Sequence, residues 1–529
     1  RGPSASVWGA NAVNGVINII TKKAAKTQGL FLTAGGGSFE QGFFGARYGG
    51  KINDNTPYRF YAKGFTRDDM KSSSGENAND AWHNARGGFR LDHTHGIDQL
   101  TLQGDLFYSS HGDRLDKSVL SAPIIQADAA RGDNEGGNIR LRWDRIYSEN
   151  SSFMLQTYYD RADFQIMNGA KYRRESFDID LQRHFSFLDR HNLTWGVNYR
   201  LYRNKVFDTE LVSFSPRQQT NHLASIYARD EITLIPEHLR FTLGVRFDHN
   251  DFTGLEIQPD ARLMWTPNAQ NSVWASVSRA VRTPSRAEND LKLNVRTLDT
   301  IPGSSTTLPF PVLAQFFGSS NFKAEKLIAY ELGYRHQFST QASIDISVFY
   351  NDYNQLRDLS AGFPSFNSSF PPHLLLPIAI TNKATAKTYG IEISADWRPS
   401  DRWRIQGNYS YLDMHINSNP IFKQIDPTTG GADKVSPQHQ VSLRSNFDLS
   451  ERMQLNLWLR YVSSLDLHNI PGYVTMDTNL TFKPTKNVEL FLVGQNLLSQ
   501  NHREFTADFI PSLATNVPRG IYIGAKWRF

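Results

Sequence analysis

The chain has 529 residues, a formal net charge of +5, no cysteine and 12% aromatic residues. The lack of thiols excludes a disulfide framework and thiolate metal sites, and dispersed rather than blocked cations leave no nucleic-acid footprint. The longest apolar run, 374–380, contains Pro377 and falls far short of the roughly 18 residues a membrane helix needs. A membrane location therefore stays open only for a β-barrel, whose strands are about half polar.

The first 22 residues stand apart. Small residues and glycines from Arg1, Gly2 and Pro3 through Gly9 to Gly15 surround a tight turn, and the Val-Ile-Asn-Ile-Ile stretch at 16–20, centred on Asn18, is β-prone. The chain opens inside this stretch, so a longer amino-terminal region is expected. Residues 23–28 form a polar linker. From residue 29 onward, apolar and polar side chains alternate with the period of a strand that has one greasy and one wet face.

The alternation recurs in about 22 stretches, from 29–37, 41–51 and 57–66 through 239–249 and 453–462 to 487–496 and 518–529. An even count is what a single-chain antiparallel barrel requires. In 453–461 the apolar set is Met453, Leu455, Leu457, Leu459 and Tyr461, with Gln454, Asn456, Trp458 and Arg460 opposite. A one-residue slip would drive arginines such as Arg460 into lipid, at about 2–4 kcal/mol each near the midplane. The predicted fold class is all-β, a transmembrane antiparallel barrel.

Connection lengths alternate as well. Short joins at 53–55, 95–96, 189–190, 236–237 and 450–451 alternate with long ones such as 67–84, 109–135, 280–322, 354–377 and 497–517. Outer-membrane barrels carry this asymmetry, with tight periplasmic turns and long outward loops. Backbone groups in hydrocarbon must all be paired internally, so the last strand should pair with the first. A closed sheet of this size encloses a lumen too wide for side chains to fill, so something must plug it. Trp265, Trp397 and Trp403, near strand ends, read as membrane-interface anchors.

With that architecture in view, the opening motif resembles the end of the plug domain in TonB-dependent outer-membrane receptors. It comprises Arg1-Gly2-Pro3, Trp8-Gly9, Ala12-Val13 and the run from Gly15-Val16-Ile17-Asn18 to Lys22. Residues 278–285, 321–326 with 330–334, 489–498 and the closing Trp527-Arg528-Phe529 resemble further stretches of that family. The resemblance implies that 1–27 is the carboxy-terminal end of a plug with its linker and 28–529 the barrel, with Phe529 as a barrel-assembly signal. It also implies active import of a scarce solute, usually a ferric siderophore and sometimes cobalamin or haem, driven by TonB through an amino-terminal segment outside this sequence. The implied surroundings are outer-membrane lipid and lipopolysaccharide, and the implied state is a monomer with no cofactor and no covalent chemistry. A passive pore or surface adhesin would share the barrel without needing a plug.

Candidate site residues follow from an anionic solute. Arg279, Arg282 and Arg286 lead into the longest outward loop, where guanidinium groups could fork onto ligand oxygens or pair with lumen carboxylates. Phe316, Phe317, Phe363, Phe366, Phe370 and Phe505 could stack on the complex or pack the loops together. His93 and His95 share one strand face but lack a third ligand, and Asp68, Asp69, Glu76 and Asp80 lack the ordered ligand pattern of a calcium loop. No nucleophile elbow or His-Glu-x-x-His motif is present, which argues against an enzyme.

Overall fold

The computed structural model describes residues 5–120, 125–166, 170–300, 307–419, 436–466, 469–505 and 512–529. Arg1, Gly2 and Pro3 of the opening motif lie outside them. The predicted alternation becomes a closed, antiparallel barrel of 22 strands. Closure joins the two ends of the sheet: Gly29–Gly37 pairs with Gly42–Lys51 on one side and with Gly520–Arg528 on the other. Gly29 carries φ +78, and a Cβ there would collide with the main-chain oxygen of Phe529, so the seam depends on a residue without a side chain. The Phe529 N–H donates to the Leu30 carbonyl at 2.8 Å.

Strand parity sorts the two faces as the alternation predicts. Leu459 and Tyr461 are exposed on the outer wall, whereas Arg460 on the same strand bonds Asp477 at 2.7 Å. Trp265, Trp397 and Trp403 lie exposed near the short-turn end, where an amphipathic indole suits the interface.

At the loop end the strands run further than the alternation suggested. Asp98–Ser118 and Ile125–Ser148 stay paired out to Ser118↔Ile125, and His373–Ser400 takes in the apolar run at 374–380. Beyond the bilayer both sheet faces meet water or loops, so the two-residue period that marks a lipid-facing strand fades while backbone pairing continues.

The stretch 280–322, expected as one long loop, contains the short helix Arg286–Asp290 and the hairpin Leu291–Thr300 with Thr307–Phe317. The hairpin's second strand pairs in parallel with Leu374–Ala379. Leu293, Val312, Phe316, Phe322, Leu359 and Ile378 form a buried apolar cluster beneath it. The outward loops thus have a hydrophobic core of their own, separate from the barrel wall.

The amino-terminal tail lies within the lumen. Its helix, Ala5–Trp8, packs against Leu239–Asn250 and neighbouring strands, and its 3-10 turn, Ala24–Thr27, packs against Gly42–Lys51, Pro57–Arg67 and Trp82–His95 on the way to the first strand. The β-prone run at 16–20 forms no strand. Ile17, Ile19 and Ile20 are exposed because no described strand lies alongside to pair with them.

Candidate functional site

The turn predicted around Gly9 is anchored on the lumen wall. Asp248 is fully buried and accepts from Arg246 Nε at 2.7 Å and Gln258 Nε2 at 2.6 Å. The same carboxylate takes the Ala10 N–H at 3.1 Å, and Arg246 donates to the Val7 carbonyl at 3.2 Å. Gly9 has φ +86, and a Cβ there would lie 3.1 Å from the Arg246 guanidinium. A paired buried charge therefore fixes the tail to the barrel. Gly15 also has positive φ, at +145, and borders the cavity described next.

Between this tail and the outward half of the wall lies a cavity of about 1040 Å³. Its floor is Ala10, Asn11, Val13, Asn14 and Gly15, and its wall carries Arg140, Arg174, Arg200, Arg282, Arg286 and Lys326, with Tyr158, Tyr172, Tyr202 and Tyr353 between them. Among the described residues two carboxylates, Asp160 and Glu325, share the lining, so six cations minus two anions give a formal +4 before the carboxylates just behind the lining, Asp178, Glu288 and Asp290, are counted. Register assembles the wall: Arg140 sits opposite Tyr158, Arg174 opposite Asn204 and Asp178 opposite Arg200. Because residues two apart share a strand face, Tyr172 with Arg174 and Arg200 with Tyr202 present a guanidinium beside a phenol.

Carboxylates hold most of these arginines in place. Arg174 pairs with Asp160 at 3.3 Å and Arg200 with Asp178 at 2.9 Å. Arg282 forks onto both oxygens of Glu325, at 2.7 and 2.9 Å, and reaches Glu288 at 3.0 Å. Arg286 bonds Asp290 at 2.9 Å, donates to the Pro216 carbonyl and lies over the Phe214 ring. Glu288 belongs to a capping box with Ser285 at the start of Arg286–Asp290. Burial works against its ionisation, but the Ser285 hydroxyl and the Arg282 guanidinium outweigh that and hold its carboxyl below the ordinary glutamate value.

The structure thus brings Arg282 and Arg286 to the cavity, each already paired, and separates the other sequence candidates from it. Arg279 turns to Glu256 at 3.4 Å and to the Ile257 carbonyl. Phe316 is 3% exposed inside the loop cluster, so its ring packs loops and is closed to a solute. Phe317 is half-buried on the same hairpin, Phe505 is exposed in the loop before the last strand, and neither lines the cavity. Arg140, Arg174, Arg200 and the tyrosines were missed because most lumen-facing positions are polar and single strands give no sign of which ones converge. The available signal was two neighbouring strands, Ala170–Phe187 and His191–Phe207, each carrying Arg and Tyr two residues apart.

The metal readings find no support. His93 Nδ1 is 2.9 Å from the Thr56 hydroxyl, and Asp69 and Asp80 accept the main-chain N–H groups of Ala81 and Met70. Among the described residues no group of three or more side chains is placed to hold a metal ion.

Comparison with known proteins agrees with this architecture. Residues 27–497 match the family model described as TonB dependent receptor-like, beta-barrel. The chain is 21% identical, over 96% of its length and 76% of the relative's, to the iron-regulated outer membrane virulence protein of Vibrio cholerae. It is 22% identical to the vitamin B12 transporter BtuB of Photobacterium profundum, over 100% and 78%. Among solved structures it superposes on the siderophore receptor PirA of Acinetobacter baumannii with TM-score 0.76 at 17% identity, covering 100% of this chain and 84% of that one. A mutant of the ferric enterobactin receptor PfeA of Pseudomonas aeruginosa, in a complex with enterobactin, gives 0.75 at 16% identity, with 100% and 85% covered. A family match across most of the chain, joined to a closed barrel with 22 strands, makes this protein a member of the TonB-dependent outer-membrane receptors.

Proposed function

We propose that the cavity between the tail and the outward half of the barrel binds an anionic ferric complex, in the first instance a ferric siderophore, and that the receptor imports it at the expense of TonB-transmitted energy. In this reading residues 1–27 are the end of the plug and 28–529 the barrel, and a monomer in lipid and lipopolysaccharide is the working unit. Phe529 serves as the assembly signal. The observation that carries the substrate class is the lining itself, with six cationic side chains and four tyrosines around a space of about 1040 Å³. Guanidinium groups fork onto ligand oxygens, phenol rings give flat apolar faces to aromatic chelators, and the volume suits a ligand larger than a typical drug.

Arg140, Arg174 and Arg200 take the place that sequence reasoning gave to Arg279 and the loop phenylalanines, with Arg282 and Arg286 kept at the rim. A second reading, cobalamin, is favoured by the transporter among the curated relatives. The test is growth of an iron-starved deletion strain on a panel of siderophores, with radiolabelled cobalamin uptake alongside. Rescue by a ferric catecholate or carboxylate complex supports the proposal. Cobalamin uptake with no siderophore rescue rejects it.

A further inference from the structure

The opening motif gives the cavity more than a floor. On the strand Asn271–Arg282, pairing with Gly254–Asn268 stops at Ser278, whereas pairing with Glu325–Ser339 runs on to Arg282↔Glu325. Residues 279–282 therefore have one edge without a strand beside it, and main-chain groups on such an edge need partners. The tail supplies them. The Asn11 N–H donates to the Val281 carbonyl at 2.8 Å. The Thr283 N–H donates to Asn11 Oδ1 at 3.1 Å, and Asn11 Nδ2 donates to the Thr283 hydroxyl at 3.3 Å. Asn11 makes all three bonds from φ +76, a left-handed conformation that asparagine tolerates better than most residues. One tail residue thus brackets Arg282 on both sides.

The same strand end is tied to the buried anchor of the tail. The Val281 N–H donates to Gln258 Oε1 at 3.2 Å, and Gln258 Nε2 donates to Asp248 at 2.6 Å. That Asp248 oxygen also takes the Ala10 N–H at 3.1 Å. With the Asn11 bond to Val281 the circuit closes through Ala10, Asp248, Gln258, Val281 and Asn11. Asp248, Gln258 and Val281 are fully buried, and Ala12 packs with Ala280 and Leu327 in a buried cluster. Tail residues 10–12 and wall residues 280–283 therefore form one bonded unit. Beyond it the chain passes through Pro284 to Ser285, the cap of Arg286–Asp290, so the placement of 281–283 also sets where that helix begins.

We infer that Asn11 is a positioning residue for Arg282, and that the cavity's affinity for an anionic complex is coupled to the seating of tail residues 10–12, each strengthening the other. The inference rests on the cavity reading above. Glu325 and Glu288 hold the Arg282 guanidinium, but the main chain beneath it is fixed on its open edge by Gln258 and the tail. With the tail seated, the arginine is ordered before a ligand arrives; with the tail loosened, binding has to order it as well, and affinity falls. Linkage makes the effect reciprocal. A ligand that favours the ordered strand end favours the seated tail by the same factor.

The test uses the full receptor in detergent micelles, checked for heat-resistant migration, with ferric enterobactin and ferric citrate as probes. Asn11→Gly keeps the left-handed turn and the N–H to Val281 but removes the amide, and should weaken binding of the recognised probe about fivefold. Thr283→Val should weaken it about threefold and Thr283→Ser should restore it; this pair serves if Asn11→Gly is not assembled. Arg282→Gln should weaken it about thirtyfold. Adding Asn11→Gly to Arg282→Gln should then change little, because a positioning residue acts only through the arginine. Amide exchange at residues 9–12 should slow when the probe binds the wild type, and should not respond in Arg282→Gln. Binding of neither probe by the wild type, or undiminished binding in Arg282→Gln, defeats the cavity reading and this inference with it. Unchanged affinity in both Asn11→Gly and Thr283→Val defeats the inference alone. So does a full fivefold loss from Asn11→Gly in the Arg282→Gln background, which would make Asn11 a direct ligand contact, or wild-type exchange at 9–12 that a bound probe leaves unaltered.

Discussion

Glu288 shows how one side chain can set the shape of the cavity rim. It closes the capping box with Ser285 and bonds Arg282, which is also forked onto Glu325. Replacing it by Gln keeps the size but removes the charge that offsets a partly buried guanidinium, at a cost of about 1.5–3 kcal/mol to the loop. The sign of the pH effect follows from its lowered carboxyl. The native loop binds that proton less readily than the unfolded loop, so the stabilisation is complete above the ordinary glutamate value of 4.5 and is lost as pH falls through the lower folded value. Amide protection across residues 285–290, corrected for intrinsic exchange, should hold from neutral pH down to about the ordinary glutamate value of 4.5, decline below it and level off once the lower folded value is passed. In Glu288→Gln it should be weaker and lack this step. An identical profile in the variant would remove Glu288 from the argument.

Among the elements, the hairpin of Leu291–Thr300 and Thr307–Phe317 has the least local support. Phe316 is its main anchor in the buried loop cluster, and truncating a buried Phe typically costs about 3–5 kcal/mol. Phe316→Ala should therefore open the outward loops to added protease while the barrel keeps its heat-resistant migration on gels. Equal resistance of the loops would show that the parallel pairing to Leu374–Ala379 holds them unaided. The contrast with the wall strands explains what sequence could tell. Met453–Val462 was legible to the residue, because lipid on one side and water on the other impose a period of two. The hairpin was not, because it buries its apolar side against residues more than sixty positions away, and no local period reports that contact. The cavity was half legible. Arg282 and Arg286 were found from their place before a long loop, while Arg140, Arg174 and Arg200 depend on cross-strand register that only the closed sheet supplies.

At the scale of the whole molecule, the same cylinder must be oily outside and charged inside, and the two demands fall on alternate residues of every strand. Leu459 and Asn456 lie three apart on Met453–Val462 and so face opposite ways. Leu459 is on the exposed outer wall, and Asn456 shares the lumen face with Arg460, which is paired to Asp477. Leu459→Arg should place a guanidinium in hydrocarbon and destabilise the inserted barrel by about 2–4 kcal/mol, whereas Asn456→Arg, on the watered face, should cost about 0–1 kcal/mol. Reversible urea unfolding in lipid vesicles measures both. If the two substitutions cost the same, the strand does not separate lipid from lumen, and a cationic bore could not be held inside an apolar shell. If they differ as expected, the arginines of the cavity owe their tolerance to the water in the lumen.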